Sequence, residues 1–163
     1  MKKVLCVGSA TVDILVKSND LRVLKSHQVS GGVALCEVYG GKTEAEEIVM
    51  DTGGSATNVA VALSRLGLVS SVITRVGRDF LKERIIENLK LEGVDISQIQ
   101  EDDKTATALS VILVAADGGR SIITSRGASA KIDSKKIDWD KVGSADWLQI
   151  GPAGGNLSLV EDL

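Results

Sequence analysis

The stretch from Asp51 to Gly67, Asp-Thr-Gly-Gly-Ser-Ala-Thr-Asn-Val-Ala-Val-Ala-Leu-Ser-Arg-Leu-Gly, constrains the fold more than any other part of the chain. Two glycines open it and a small polar cluster follows. Val59, Ala62, Leu63 and Leu66 then recur at helical spacing until Gly67 offers a C-terminal stop. The pattern predicts a helix whose first-turn amides lack intrahelical partners and carry the positive end of the dipole, so oxygen-rich ligands are favoured there. Gly53 and Gly54 have no Cβ, which opens unusual backbone angles and lets another group approach the main chain closely. Asn58 falls within the first two turns, where its amide can both donate to and accept from a hydroxyl. The same residues also suit an ordinary loop-to-helix junction in which the glycines only relieve crowding.

The flanking segments say what such a helix is attached to. Residues 4–7 form a continuous apolar run ending at Gly8, as in a strand buried on both faces of a parallel sheet. Asp13 follows just beyond it, where open α/β sheets place their ligands, although a turn or capping aspartate fits the same position. Between residues 14 and 50 the texture changes to short β-prone pieces at 14–16, 33–39 and 48–50, separated by Gly31-Gly32 and Gly40-Gly41. This predicts a small antiparallel sheet inserted before the helix. Gly40-Gly41-Lys42-Thr43 imitates the end of a phosphate-binding P-loop, but Cys36 occupies the place of the required first glycine, and Glu44, Glu46 and Glu47 would repel phosphate.

Beyond Gly67, residues 71–77 read as a second core strand and Asp79 as the cap of a helix with Leu81, Ile85, Ile86 and Leu89 on its apolar face and Gly93 as its stop. Alternating strands and helices predict an α/β sheet. Residues 109–114 and 121–124 flank Asp117-Gly118-Gly119, a hairpin signal that would add antiparallel strands to that sheet. Residues 127–130 suggest a small-residue loop, 132–142 a short helical connection, 146–150 a further core strand, and 156–163 the start of a helix without a stop signal.

Composition closes off several function classes. With 19 basic and 22 acidic side chains the net charge is −3, which gives no electrostatic case for nucleic acid or an anionic membrane. Aromatic residues make up only 2%, too few for base-stacking platforms. The N-terminal apolar run is too short for a signal peptide or a membrane span. Cys6 and Cys36 lack metal-like spacing and His27 is the lone histidine, so no metal site is expected and the cysteines fit a reduced, cytoplasmic protein.

Together these pieces resemble the N-terminal half of the ribokinase-type, or PfkB, family of carbohydrate and nucleoside kinases. The resemblance is carried by Val7-Gly8-Ser9 with Asp13, the inserted β pieces, Gly53-Gly54-Ser55-Ala56-Thr57-Asn58 with Ala60, and Leu63 to Gly67. It continues through Val76-Gly77-Arg78-Asp79, Thr105, Asp117-Gly118 with Arg120, and Gly127-Ala128, so that it spans essentially the whole chain over residues 1–163. It implies a Rossmann-like α/β core, here incomplete, with a small antiparallel β lid over 14–50. It also implies phosphoryl transfer from ATP to a sugar or nucleoside hydroxyl, with magnesium, in the full-length family. Carried over by position, Asp13 would accept hydrogen bonds from substrate hydroxyls, Gly53 and Gly54 would give close backbone contact, and Asn58 would bond another hydroxyl.

Departures from the family pattern shape the functional expectation. The Gly-Ala-Gly-Asp motif that carries the catalytic base is absent, since Gly127-Ala128 continues as Ser129-Ala130 and Gly154-Gly155 as Asn156. The Asn-x-x-Glu motif tied to magnesium and the nucleotide-binding loops are also missing, and Gly151 stands near where relatives often carry a substrate-contacting acid. No catalytic residue, and no bound ATP or magnesium, is therefore expected for this chain alone. The leading expectation is the substrate-and-lid half of a sugar kinase. The alternative is a non-catalytic sugar-binding or scaffold protein derived from one, self-associating through its lid. A dinucleotide oxidoreductase fits poorly, because Gly8 is not followed by the spaced glycines such sites need. Related lids often pair across a dimer, so a homo-oligomer is expected.

Overall fold

A computed structural model describes residues 1–152 and 157–163. The chain folds as two compact units, one made of Met1–Val12, Thr52–Leu109 and Ser125–Leu163, the other of Asp13–Asp51 and Ser110–Thr124.

The first unit is an α/β layer structure. Strand β1 (Lys3–Val7) lies between β10 (Trp147–Ile150) and β6 (Val69–Gly77), and β7 (Asp95–Asp102) pairs with the far side of β6. All three pairings are parallel, with Val4 opposite Trp147 and Ser70. Such a sheet must be covered on both faces, which explains why Val4 to Val7 are all buried. Val4 and Cys6 join Val72, Val76 and the helices α1 (Ser55–Arg65) and α2 (Phe80–Leu91) in one core. Leu5, Val7 and Ile73 join Ile132, Ile137, Val142 of α3 (Trp139–Gly143) and Leu159 of α4 (Leu157–Asp162) in the other. Both α1 and α2 end as their glycines predict. Gly67 (φ 84°) and Gly93 (φ 70°) adopt left-handed angles, and the amides of Gly67, Leu68, Gly93 and Val94 return to the carbonyls of Ser64, Leu63, Lys90 and Leu89.

Several expectations change. The buried face of α1 is Ala56, Thr57 and Ala60, while Leu66 is 78% exposed. Small side chains let the helix approach the sheet closely enough for the Ser70 hydroxyl to donate to the Ala60 carbonyl at 2.7 Å. The connection over 132–142 is broken into 3-10 turns at Ser134–Lys136 and the single α turn of α3, and Gly127–Lys131 is a 3-10 helix with Ala128 and Ser129 buried. The expected helix at 156–163 is seen as α4; Asn156, with Gly154 and Gly155, lies outside the described residues.

The second unit is built of β strands. Sheet order is β5 (Glu47–Gly53), β2 (Thr11–Lys17), β8 (Ala108–Val114), β9 (Arg120–Ser125), with β3 (Arg22–Lys25) and β4 (Val33–Cys36) forming a separate antiparallel pair. The 108–125 hairpin thus belongs with β2 and β5 and not with the core sheet: a turn signal specifies the hairpin but not the sheet it joins. Buried Ser18 ties this unit together, its amide bonding the Val114 carbonyl at 3.0 Å and its hydroxyl the Glu44 carbonyl at 2.7 Å. Gly40 to Thr43 lie in turn and coil with no helix following, which removes the P-loop reading. Among the described residues, no helix is long and apolar enough to cross a membrane.

Candidate functional site

Chain order along the parallel sheet reverses at β1: β6 and β7 succeed it on one side and β10 on the other. Open α/β sheets hold ligands outside the carboxyl ends of the strands at such a switch point. Here those ends are Gly8-Ser9 after β1 and Gly151 after β10, with the start of α1 beside them.

The junction is held by two serines. The Ser9 hydroxyl accepts from the Ser55 amide at 2.9 Å, the Ser55 hydroxyl accepts from the Ser9 amide at 3.1 Å, and the two hydroxyls lie 3.1 Å apart. The Ala56 amide bonds the Ser9 carbonyl at 3.1 Å. Two of the first-turn amides of α1 are therefore satisfied by the β1–β2 turn, whereas the sequence suggests an open N-terminus. This cap from a segment 46 residues away leaves no signal in the local sequence. Ser129, from the 3-10 helix, holds the same turn by donating to the Ala10 carbonyl at 2.6 Å.

Gly54 occupies the N-cap position at φ 113°, ψ 151°. A Cβ there would meet the Ser9 carbonyl and stand 2.7 Å from the Ala10 Cα. The β1–β2 turn thus packs closely against this glycine. Gly53 ends β5 and is buried; its carbonyl accepts from the Thr57 hydroxyl at 2.6 Å. Asn58, whose amide begins the helical ladder to the Gly54 carbonyl at 3.1 Å, has an exposed side chain on α1. Asp13 is the third residue of β2 and partly buried, so it sits inside a strand of the second unit, not in the turn that the sequence position suggested.

The Gly151 amide bonds the Val7 carbonyl at 2.8 Å, and a Cβ on Gly151 would lie 2.5 Å from the Ser55 hydroxyl oxygen and 2.7 Å from its Cβ. Position 151 has no room for an acidic side chain while Ser55 is present. Among the described residues, no group of three His, Cys, Asp or Glu side chains could hold a metal ion. Burial pushes the Cys6 thiol up to about 11, which leaves it a packing residue.

The family model described as pfkB family carbohydrate kinase matches residues 1–162. A sugar-kinase homologue of Pyrococcus horikoshii is 34% identical over 99 residues, covering 61% of this chain and 32% of the relative. Fructokinase of Solanum tuberosum is 29% identical over 146 residues, covering 88% of this chain and 44% of the relative. The structure of Arabidopsis thaliana ribokinase complexed with ribose and ATP superposes with a TM-score of 0.72 at 24% identity, over 94% of this chain and 47% of that one. The chain spans less than half the length of these relatives.

Proposed function

The chain belongs to the pfkB family of carbohydrate kinases, and from that premise we propose that it is the substrate-binding portion of a cytoplasmic, ATP-dependent sugar kinase. The observation that carries this reading is the sheet's reversal at β1, which brings Gly8, Ser9, Gly151 and the start of α1 to the position where open α/β sheets take their ligands. Asp13 accepts hydrogen bonds from sugar hydroxyls, Gly53 and Gly54 supply close backbone, and the exposed Asn58 amide bonds a further hydroxyl. A carboxylate and an amide are complementary partners for vicinal hydroxyls, and the charge-assisted bonds are the stronger ones. Phosphoryl transfer needs a base within reach of the attacking hydroxyl and fixed groups to stabilise the moving charge. The family elements that supply them, together with those for ATP and magnesium, are missing from this sequence, so the chain alone binds a sugar without phosphorylating it.

Calorimetric titration with fructose and ribose tests this. Asp13→Asn should weaken sugar binding by roughly 1.5–3 kcal/mol through loss of a charged acceptor. No measurable binding, or unchanged affinity in a variant of wild-type stability, would remove Asp13 from the site. Turnover with ATP and magnesium that survives rigorous purification and disappears in Asp13→Ala would overturn the inactivity.

A second reading, a non-catalytic scaffold associating through residues 14–50, is favoured by the exposure of Val33 (53%), Val38 (69%) and Ile48 (67%) in that segment. Both readings include a two-fold homodimer, which would cover these side chains.

A further inference from the structure

A second feature of the first unit lies at the carboxyl ends of β6 and β7. An open cavity of about 400 Å³ is lined there by Arg75, Lys104, Thr105, Lys131 and Lys136, together with three carboxylates. The carboxylates are already engaged. Asp102 pairs with Arg75 at 2.8 Å, Glu101 with Lys82 at 2.9 Å and Arg78 at 3.1 Å, and Asp103 with Arg78 at 2.8 Å. Among the described residues, Lys104, Lys131 and Lys136 have no carboxylate within ion-pair distance. When Arg78, Lys82 and the Glu83 that Lys82 also meets are counted with the lining, six cations face four carboxylates. That leaves a local surplus of two positive charges in a chain whose net charge is −3.

The segments bearing these lysines are held by polar side chains from the strand ends. Arg75, 17% exposed, donates to the Lys131 carbonyl at 2.7 Å while paired with buried Asp102. Asp102 accepts from the Lys104 amide at 2.8 Å and the Thr105 amide at 3.0 Å. Buried Gln100 takes the Asp133 amide and gives to the Asp133 carbonyl, both at 2.9 Å, which fixes the turn leading to Lys136. Lys131 Nζ is itself oriented by the Thr105 hydroxyl at 3.1 Å. Three ammonium groups on pre-set backbone, facing one cavity at the carboxyl edge of a parallel sheet, make an anion site whose ordering cost is largely met by the fold.

We propose that this cavity binds a small molecule bearing at least one phosphate group. Its volume is within the range that small-ligand sites occupy, and multiply charged phosphate matches several point-charge donors better than a single carboxylate does. The site stands on the first unit alone and does not depend on the sugar-kinase reading, so a chain that fails to bind sugar still tests it.

The test is a titration of the purified chain, at low ionic strength, with inorganic pyrophosphate and separately with glucose 6-phosphate, followed by amide NMR shifts and calorimetry. Saturable binding of either, with shifts centred on Lys104, Thr105 and Lys131 and weakening as salt is raised, is expected. The stronger ligand identifies the source as an inorganic or a sugar phosphate. Lys131→Ala combined with Lys136→Ala should lower affinity at least tenfold, and Lys136→Glu alone should act in the same direction, with thermal unfolding unchanged. A control pair away from the cavity, Lys17→Ala with Lys90→Ala, should leave affinity intact. Absence of saturable binding with both ligands, or an equal loss in the control pair, overturns the proposal.

Discussion

Gly54 is held at a backbone angle that side chains rarely adopt, with the Ser9 carbonyl and the Ala10 Cα where its Cβ would be. Replacement by alanine therefore combines two costs, the strained φ and an overpacked contact with backbone that cannot move aside. Together they amount to about 2–6 kcal/mol. Gly67 is the internal comparison: at φ 84° it also prefers glycine, but nothing lies within 4 Å of a Cβ there, so Gly67→Ala should cost only about 1–2 kcal/mol. Urea denaturation of both variants checks the order, and equal losses would show that the contact with Ser9 and Ala10 contributes nothing. That position 54 requires glycine was legible in the sequence. What approaches it was not, because Ser9 is distant in the chain and a serine announces no partner.

Among the elements, α2 shows how far one cap reaches. Asp79 accepts from the Leu81 amide at 3.2 Å and the Lys82 amide at 3.3 Å, and from both the amide and the hydroxyl of Thr107 at 2.7 Å, so it fastens the approach to β8 as well as starting the helix. Burial pushes its carboxyl up, but these hydrogen bonds outweigh burial and hold it below the ordinary value of 3.8. A carboxyl lowered in the folded state contributes stability in full above its unfolded value and loses it as pH falls through the folded one. Asp79→Ala should cost about 1–3 kcal/mol at neutral pH. The gap between wild type and Asp79→Asn should stay constant near neutrality and narrow below pH 3.8, which denaturation at a series of pH values measures. This cap and the Gly93 stop could be read directly because each is a local rule satisfied by one residue. β7 could not, since its fully buried side chains are Gln98, Gln100 and Asp102, and the isoleucines it packs against the core, Ile96 and Ile99, are three positions apart, so no apolar alternation marks it. Gln98 and Gln100 are there to accept the Asp138 and Asp133 amides, a demand set by residues more than 30 positions later. β3 escaped for a simpler reason: all four of its residues are exposed, so no buried face marks it.

For the molecule as a whole, the apolar surface left uncovered sets the expected behaviour in solution. Val33, Val38 and Ile48 are exposed in the second unit, and Trp147 on β10, an edge of the parallel sheet, is 69% exposed. Exposed edges and apolar patches of this kind favour association. Light scattering at micromolar concentration should give a dimer, and Val33→Lys with Val38→Lys should dissociate it. Persistence of the dimer in that variant would shift the interface to the core edge, and a monomer in the wild type would refute association. The order of the parallel sheet also bears on how the chain reaches this state. β6, α2 and β7 are neighbours in sequence and can assemble early, but β1, the strand between β6 and β10, pairs Val4 with Ser70 on one side and with Trp147 on the other. Such distant parallel pairings are slow to form, because loop closure must be met before they are rewarded. A growing polypeptide completes β1 some 140 residues before β10, so over that stretch of synthesis this apolar strand lacks one of its two neighbours.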